Sequence, residues 1–198
     1  TEIYTLSLHD ALPIYSMIGC PFLFLEGLPV AKTNKATITS LIKGAQRFWL
    51  MKTEPTECSV DDALAKPVSW FGIRNYQARN FIRDGMREGD AILFYHSSCP
   101  QPGVVGLATI VSKPYPDELQ FDATSEYFDP KSKEDSPRWV TIDVKALLKC
   151  PVIPIAALRE HEELSQMRVL QKGNRLSITP VTKEEFEFIV REWICPTL

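Results

Sequence analysis

Apolar runs of strand length, cut off by prolines, glycines and charged turns, set the rhythm of this chain from residue 47 onward. RFWLMKTEP, residues 47–55, is a short apolar run stopped by Pro55, the form of a buried strand that ends where a site often begins. Ser59 followed by Asp62 has capping-box spacing and predicts a short helix that stops before Pro67. VSWFG, residues 68–72, reads as a second strand ending at a glycine. Over residues 75–86, Ala78, Phe81 and Ile82 recur at helical spacing, while Asn75, Arg79 and Arg83 line a stripe beside them at i, i+4, i+8. The spacing predicts a helix with a core face next to a basic one.

GDAILFYHSS and GVVGLATIVS are strand-like runs joined through Cys99-Pro100-Gln101-Pro102, a long hairpin. RWVTIDVKAL, residues 138–147, alternates Trp139, Thr141 and Asp143 with Val140, Ile142 and Val144, as a strand with one buried face does. Between them, residues 113–137 carry seven acids (Asp117, Glu118, Asp122, Glu126, Asp129, Glu134, Asp135) with Lys131 and Lys133, and read as a long loop. Helical turns are predicted around residues 155–158 and 164–170 after Cys150-Pro151, then a last strand, RLSITPV. Thr182 with Glu185 makes a second capping box, and Phe186, Ile189, Val190, Trp193 and Ile194 mark one face of a closing helix. Five or six strands without regular βαβ alternation predict an α+β domain with a small, partly closed barrel.

Composition narrows the function classes. The 198 residues suffice for one well-buried domain, with 44% apolar content. Lys and Arg total 22 against 25 Asp and Glu, a net charge of -3, which argues against gripping long nucleic acid by phosphate neutralisation alone. The five cysteines, Cys20, Cys58, Cys99, Cys150 and Cys195, are scattered without a C-x-x-C pair and imply a reducing compartment. No apolar run reaches the roughly 18 residues that span a bilayer; residues 17–31 are interrupted by Gly, Pro and Glu and lack a basic stretch ahead of them. No membrane contact is expected, and the location is expected to be cytoplasmic, or nuclear in a eukaryote. TEIYTLSLHDALPI, residues 1–14, resembles the conceptual translation of a common sequencing adapter, so residues 1–46 are expected to form a disordered leader and residues 47–195 the domain.

FWLMKTEP, WFGIRNYQARNF, GDAILFYHSSC, Pro102-Gly103, YPD at residues 115–117, PRW at residues 137–139 and RLSITPV, in that order, together resemble the EVE domain. The resemblance implies a PUA-like pseudo-barrel of five or six strands with flanking helices, related to ASCH and YTH domains, whose cleft binds a nucleobase, often a modified one. It maps the family's Lys-x-Glu-Pro onto Lys52, Glu54 and Pro55. Cys58 stands where relatives carry Tyr, and Ile73 where they carry Val.

Within that frame, Trp70 resembles the cage wall of a YTH domain, and either stacks on a base or fills the core. Gly72 lets backbone approach a ligand, and Arg74 and Asn75 follow it at a helix start, where Asn75 either reads a base edge or caps the helix. Tyr95, His96 and Ser97 end a strand at the barrel mouth, Lys52 lies at the cleft base, and Tyr127 closes the cleft from the acidic loop or belongs to a solvated lid. Arg79, Arg83 and Arg138 are the phosphate candidates. His96 and Cys99 lack further ligands, so no metal is expected, and no cofactor. The expected function is non-catalytic binding of a modified base in DNA or RNA by a monomer. The rival is an amidohydrolase using Lys52, Thr53 and Glu54, types that ASCH relatives use, although strand alternation puts Thr53 on the face opposite Lys52 and Glu54.

Overall fold

The computed structural model describes residues 35–198. The adapter-like segment 1–14 lies outside the described residues. In chain order the helices are α1 (Lys35–Gly44), α2 (Val60–Ala65), α3 (Tyr76–Asn80), α4 (Ile155–Leu158) and α5 (Lys183–Ile189). The strands are β1 (Phe48–Thr53), β2 (Val68–Ser69), β3 (Ala91–His96), β4 (Gly103–Ile110), β5 (Tyr115–Pro116), β6 (Val140–Thr141), β7 (Asp143–Pro154) and β8 (Ile178–Val181).

The apolar run of β1 is buried throughout because both faces of its sheet are covered. Phe48 and Leu50 enter one apolar cluster with Leu93, Phe186 and Ile189; Trp49 and Met51 enter the other with Ile92, Phe94 and Ile142. A period-two strand therefore serves two cores, which is why it reads as a continuous apolar segment. The sheet runs β2-β7-β4-β3-β1-β8 and curls into a mixed half-barrel, with β5 and β6 paired separately. β1 and β3 are parallel, from Phe48 opposite Ala91 to Thr53 opposite His96, and the other pairs are antiparallel. The parallel pair delivers the ends of two central strands to one edge, where the cavity described below opens.

Both capping boxes form. Asp62 N–H donates to Ser59 Oγ (3.2 Å) while Ser59 N–H donates to Asp62 Oδ2 (2.9 Å), and Thr182 and Glu185 exchange the equivalent pair at 3.1 and 2.8 Å.

Several elements depart from expectation. Residues 35–44, placed in the expected disordered leader, form α1 and bury Ile38, Leu41 and Ile42 in the Phe186 cluster. Only Val68 and Ser69 of VSWFG pair as strand, because Trp70 leaves the ladder after its N–H reaches Ile142 O (2.9 Å). The helix expected over 75–86 is α-helical for one turn and then widens to a π turn, with Met86 N–H bonded to Phe81 O at 2.8 Å. RWVTIDVKAL splits between β6 and β7, and Trp139 and Thr141 are as buried as Ile142 and Val144. β7 also runs on through Pro151, which falls where the pairing jumps from Lys149 opposite Gly106 to Ile153 opposite Val104. A proline is tolerated at such a bulge because no ladder bond needs its missing N–H. No described helix is long and apolar enough to cross a membrane.

Candidate nucleobase cavity

At the end of β1 a cavity of about 410 Å³ opens between the strand, the segment from Ser69 to Asn75, Tyr127 of the acidic loop, and Arg175 and Ser177 ahead of β8. Its floor comes from Lys52, Thr53, Glu54 and Ser97, brought together because Ser97 N–H and Oγ both donate to Thr53 O (2.8 and 3.2 Å).

Trp70 is 5% exposed and packs edge-on against Phe94, with centroids 5.4 Å apart, so it belongs to the core and to the cavity wall at once. Its indole N–H has no acceptor among the described residues, and it is not among their fully buried unpaired polar atoms, of which Thr179 Oγ1 alone stands out. That donor is therefore accessible.

Gly72 has φ +77, and a Cβ there would lie 2.8 Å from the Tyr127 ring. Only glycine suits both the left-handed backbone and the close approach. Gly72 N–H donates to Asp117 Oδ2 (3.0 Å), which also accepts from Arg74 Nη1 (2.8 Å), while Asp117 Oδ1 accepts from Leu119 N–H (3.0 Å). Arg74 Nε and Nη2 then donate to Tyr127 O at 2.8 and 2.5 Å. Asp117, 1% exposed, thus ties the glycine turn to the loop that carries Tyr127. Tyr127 Oη donates to Glu57 Oε1 (3.2 Å), and burial, with Glu57 beside it, pushes the phenol's pKa up.

Among the residues read from the sequence as cleft-forming, Lys52, Trp70, Gly72, Arg74, Asn75, Ser97 and Tyr127 line this cavity. Tyr95 does not. Its ring lies in the Leu50 and Phe186 cluster, because alternation along β3 turns it to the face opposite Phe94. His96 is also outside the lining, its Nε2 accepting from Val60 N–H (3.1 Å) at the start of α2. Burial lowers the pKa of His96, as expected for a ring held neutral by that acceptor role. Asn75 lines the cavity, but its Oδ1 is occupied as the N-cap of α3, accepting from Gln77 and Ala78 N–H at 2.9 and 3.1 Å. It cannot offer a base edge that oxygen and keep the cap.

None of the three phosphate candidates enters the cavity. Arg83 is held bidentate by Asp84 (2.8 Å for both bonds), and Arg138 lies 3.8 Å from Asp129 Oδ2. The π turn removes Arg83 from the regular i, i+4, i+8 stripe. Arg79 hydrogen bonds only neutral oxygens, Asn80 Oδ1 and Arg138 O.

Lys52 and Arg175 are the cavity cations without an ion-pair partner among the described residues. Burial lowers the pKa of Lys52. Thr53 Oγ1 is bonded to Glu54 O (3.3 Å) and not to Lys52. Cys58, also in the lining, has its thiol pushed up to about 11 by burial and by the neighbouring Asp62 and Glu57, so it is neutral near pH 7. Glu57, Phe71, Arg175 and Ser177 were not legible as site residues, since they come from turns whose approach to the cavity follows from the tertiary fold. Asp117 reads from the sequence only as a loop acid and part of YPD, and no local spacing connects it to Arg74.

A family profile, the EVE domain, matches residues 47–192. The chain belongs to the EVE domain family, and its curled sheet with flanking helices is the α+β, PUA-like fold that family implies. Human thymocyte nuclear protein 1 is 39% identical over 169 residues, covering 75% of this chain and 75% of the human protein. A crystal structure of a Pseudomonas putida protein is 43% identical with TM-score 0.70, covering 72% of this chain and 97% of that one. A crystal structure of human THYN1 in complex with 5-methylcytosine containing DNA is 40% identical with TM-score 0.69, covering 73% and 96% respectively.

Proposed function

We propose that this protein binds a modified base of DNA, 5-methylcytosine being the first candidate, inside the cavity at the end of β1. The observation that carries the reading is an accessible indole N–H on a ring otherwise sealed in the core, set in a pocket that also holds Lys52 and Glu57. The ring surfaces of Phe71 and Tyr127 offer flat walls for a heterocycle, whose stacking is worth about 1–3 kcal/mol per base. Carboxylates at Glu54 and Glu57 accept from exocyclic amino groups such as that of cytosine. The human relative in complex with 5-methylcytosine containing DNA supports the same ligand class for this chain.

The hydrolase reading draws on Lys52, whose lowered pKa suits a general base. Thr53 Oγ1 bonded to a backbone carbonyl, with no bond to Lys52, favours binding over a nucleophile-and-base relay.

Fluorescence anisotropy with otherwise identical oligonucleotides, one carrying 5-methylcytosine and one cytosine, tests the reading. Wild type is expected to prefer the methylated strand. Trp70→Phe, which keeps a ring in the core but loses the N–H, is expected to reduce that affinity by about 2- to 12-fold, the value of one net hydrogen bond. Equal binding of the two oligonucleotides by wild type would overturn the proposal.

A further inference from the structure

We infer that Tyr76 and Arg79 form a second nucleotide platform outside the cavity, on which the base next to the bound one stacks; this rests on the base-binding reading above. Tyr76 follows Asn75, a cavity-lining residue, so the two Cα atoms are only about 3.8 Å apart. Tyr76 is 53% exposed, the most open large hydrophobic residue among those described. Beneath it lies Trp139, 5% exposed, with centroids 4.9 Å apart and planes at 30°.

Trp139 cannot drift. Its indole N–H donates to Asp129 Oδ2 (2.8 Å), and its backbone N–H and C=O are both bound by the buried Gln120 side chain, at 2.9 Å each. Tyr76 is therefore a ring on a rigid support, and fixed aromatic surface is what makes stacking favourable at low entropic cost.

The Arg79 guanidinium lies 4.8 Å from the Tyr76 centroid and 5.9 Å from that of Trp139. Were Arg79 and Trp139 on opposite faces of Tyr76, their separation would be nearly twice either distance. Arg79 and Trp139 therefore do not sandwich the ring, and Tyr76 stays half-exposed. Its hydrogen bonds go to neutral oxygens, whereas Arg83 is bonded to Asp84 and Arg138 lies near Asp129. A half-exposed ring with a guanidinium packed against it matches a nucleotide, the base on the ring and its phosphate on the cation. Arg74, which stacks on the Trp139 ring (5.5 Å) and lines the cavity, connects platform and pocket.

The test uses the full chain and two single-stranded oligonucleotides with a central 5-methylcytosine, one with normal neighbours and one with abasic sites on both sides. Tyr76→Ala is expected to weaken the first by about 5- to 150-fold, as loss of one stacked base does, and to leave the second unchanged. Tyr76→Phe, which keeps the ring, is expected to bind both like wild type. If Tyr76→Ala weakens neither strand, or weakens both equally, the platform is refuted while the cavity reading stands. Wild type that fails to distinguish 5-methylcytosine from cytosine refutes the cavity reading and the platform with it.

Discussion

Asp117 shows how much a single side chain arranges here. One buried carboxylate accepts from the Gly72 and Leu119 N–H groups and from Arg74, so it sets the glycine turn and the Tyr127 lid together. Asp117→Asn removes the charge that Arg74 faces and is expected to cost about 1.5–3 kcal/mol, the value of hydrogen bonds to a charged group. Urea denaturation followed by circular dichroism checks this, and a loss below about 0.5 kcal/mol would contradict the clamp. Trp70, Gly72 and Lys52 were picked out from the sequence within the frame of the family resemblance, and all three line the cavity. Asn75 was visible with both of its readings, and the N-cap one took its oxygen. Tyr95 and His96 stand outside the lining because a strand end identifies a mouth but not a side: alternation turns Tyr95 into the Leu50 cluster, and the His96 ring accepts from Val60 N–H.

Among the elements, those with local chemistry were the legible ones. The capping boxes at Ser59 and Thr182 mark helix starts that satisfy two backbone donors with two side chains, independently of what packs above them. Thr182→Ala is expected to cost about 1 kcal/mol. Because α5 packs in the cluster opposite Trp70, oligonucleotide affinity should change by less than about twofold, which thermal unfolding and anisotropy on one preparation would show. The elements that sequence misjudged are those whose form is imposed from outside. A π turn interrupts the helix after Asn80, β7 continues through Pro151 because it bulges there against β4, and α1 exists because the Phe186 cluster accepts Ile38, Leu41 and Ile42.

For the molecule as a whole, net charge and cation pairing limit how it holds nucleic acid. The chain carries -3 overall, Arg83 and Arg138 face carboxylates, and Arg79 hydrogen bonds only neutral oxygens. One or two phosphate contacts predict a slope of roughly -1 in log affinity against log salt for single strands. A slope steeper than about -4 between 50 and 200 mM salt would show a long polyanion track in place of a pocket. Composition, strand-length apolar runs, capping pairs and the seven ordered family blocks were sufficient, by themselves, to determine the fold class and to point to the segment that lines the candidate cavity, since each is a pattern carried within short stretches of chain. Which face of β3 meets the pocket, how Asp117 reaches Gly72 across 45 positions, and which arginines keep their charge were decided by tertiary structure alone. Those depend on contacts between segments remote in the chain, where no local spacing carries the information.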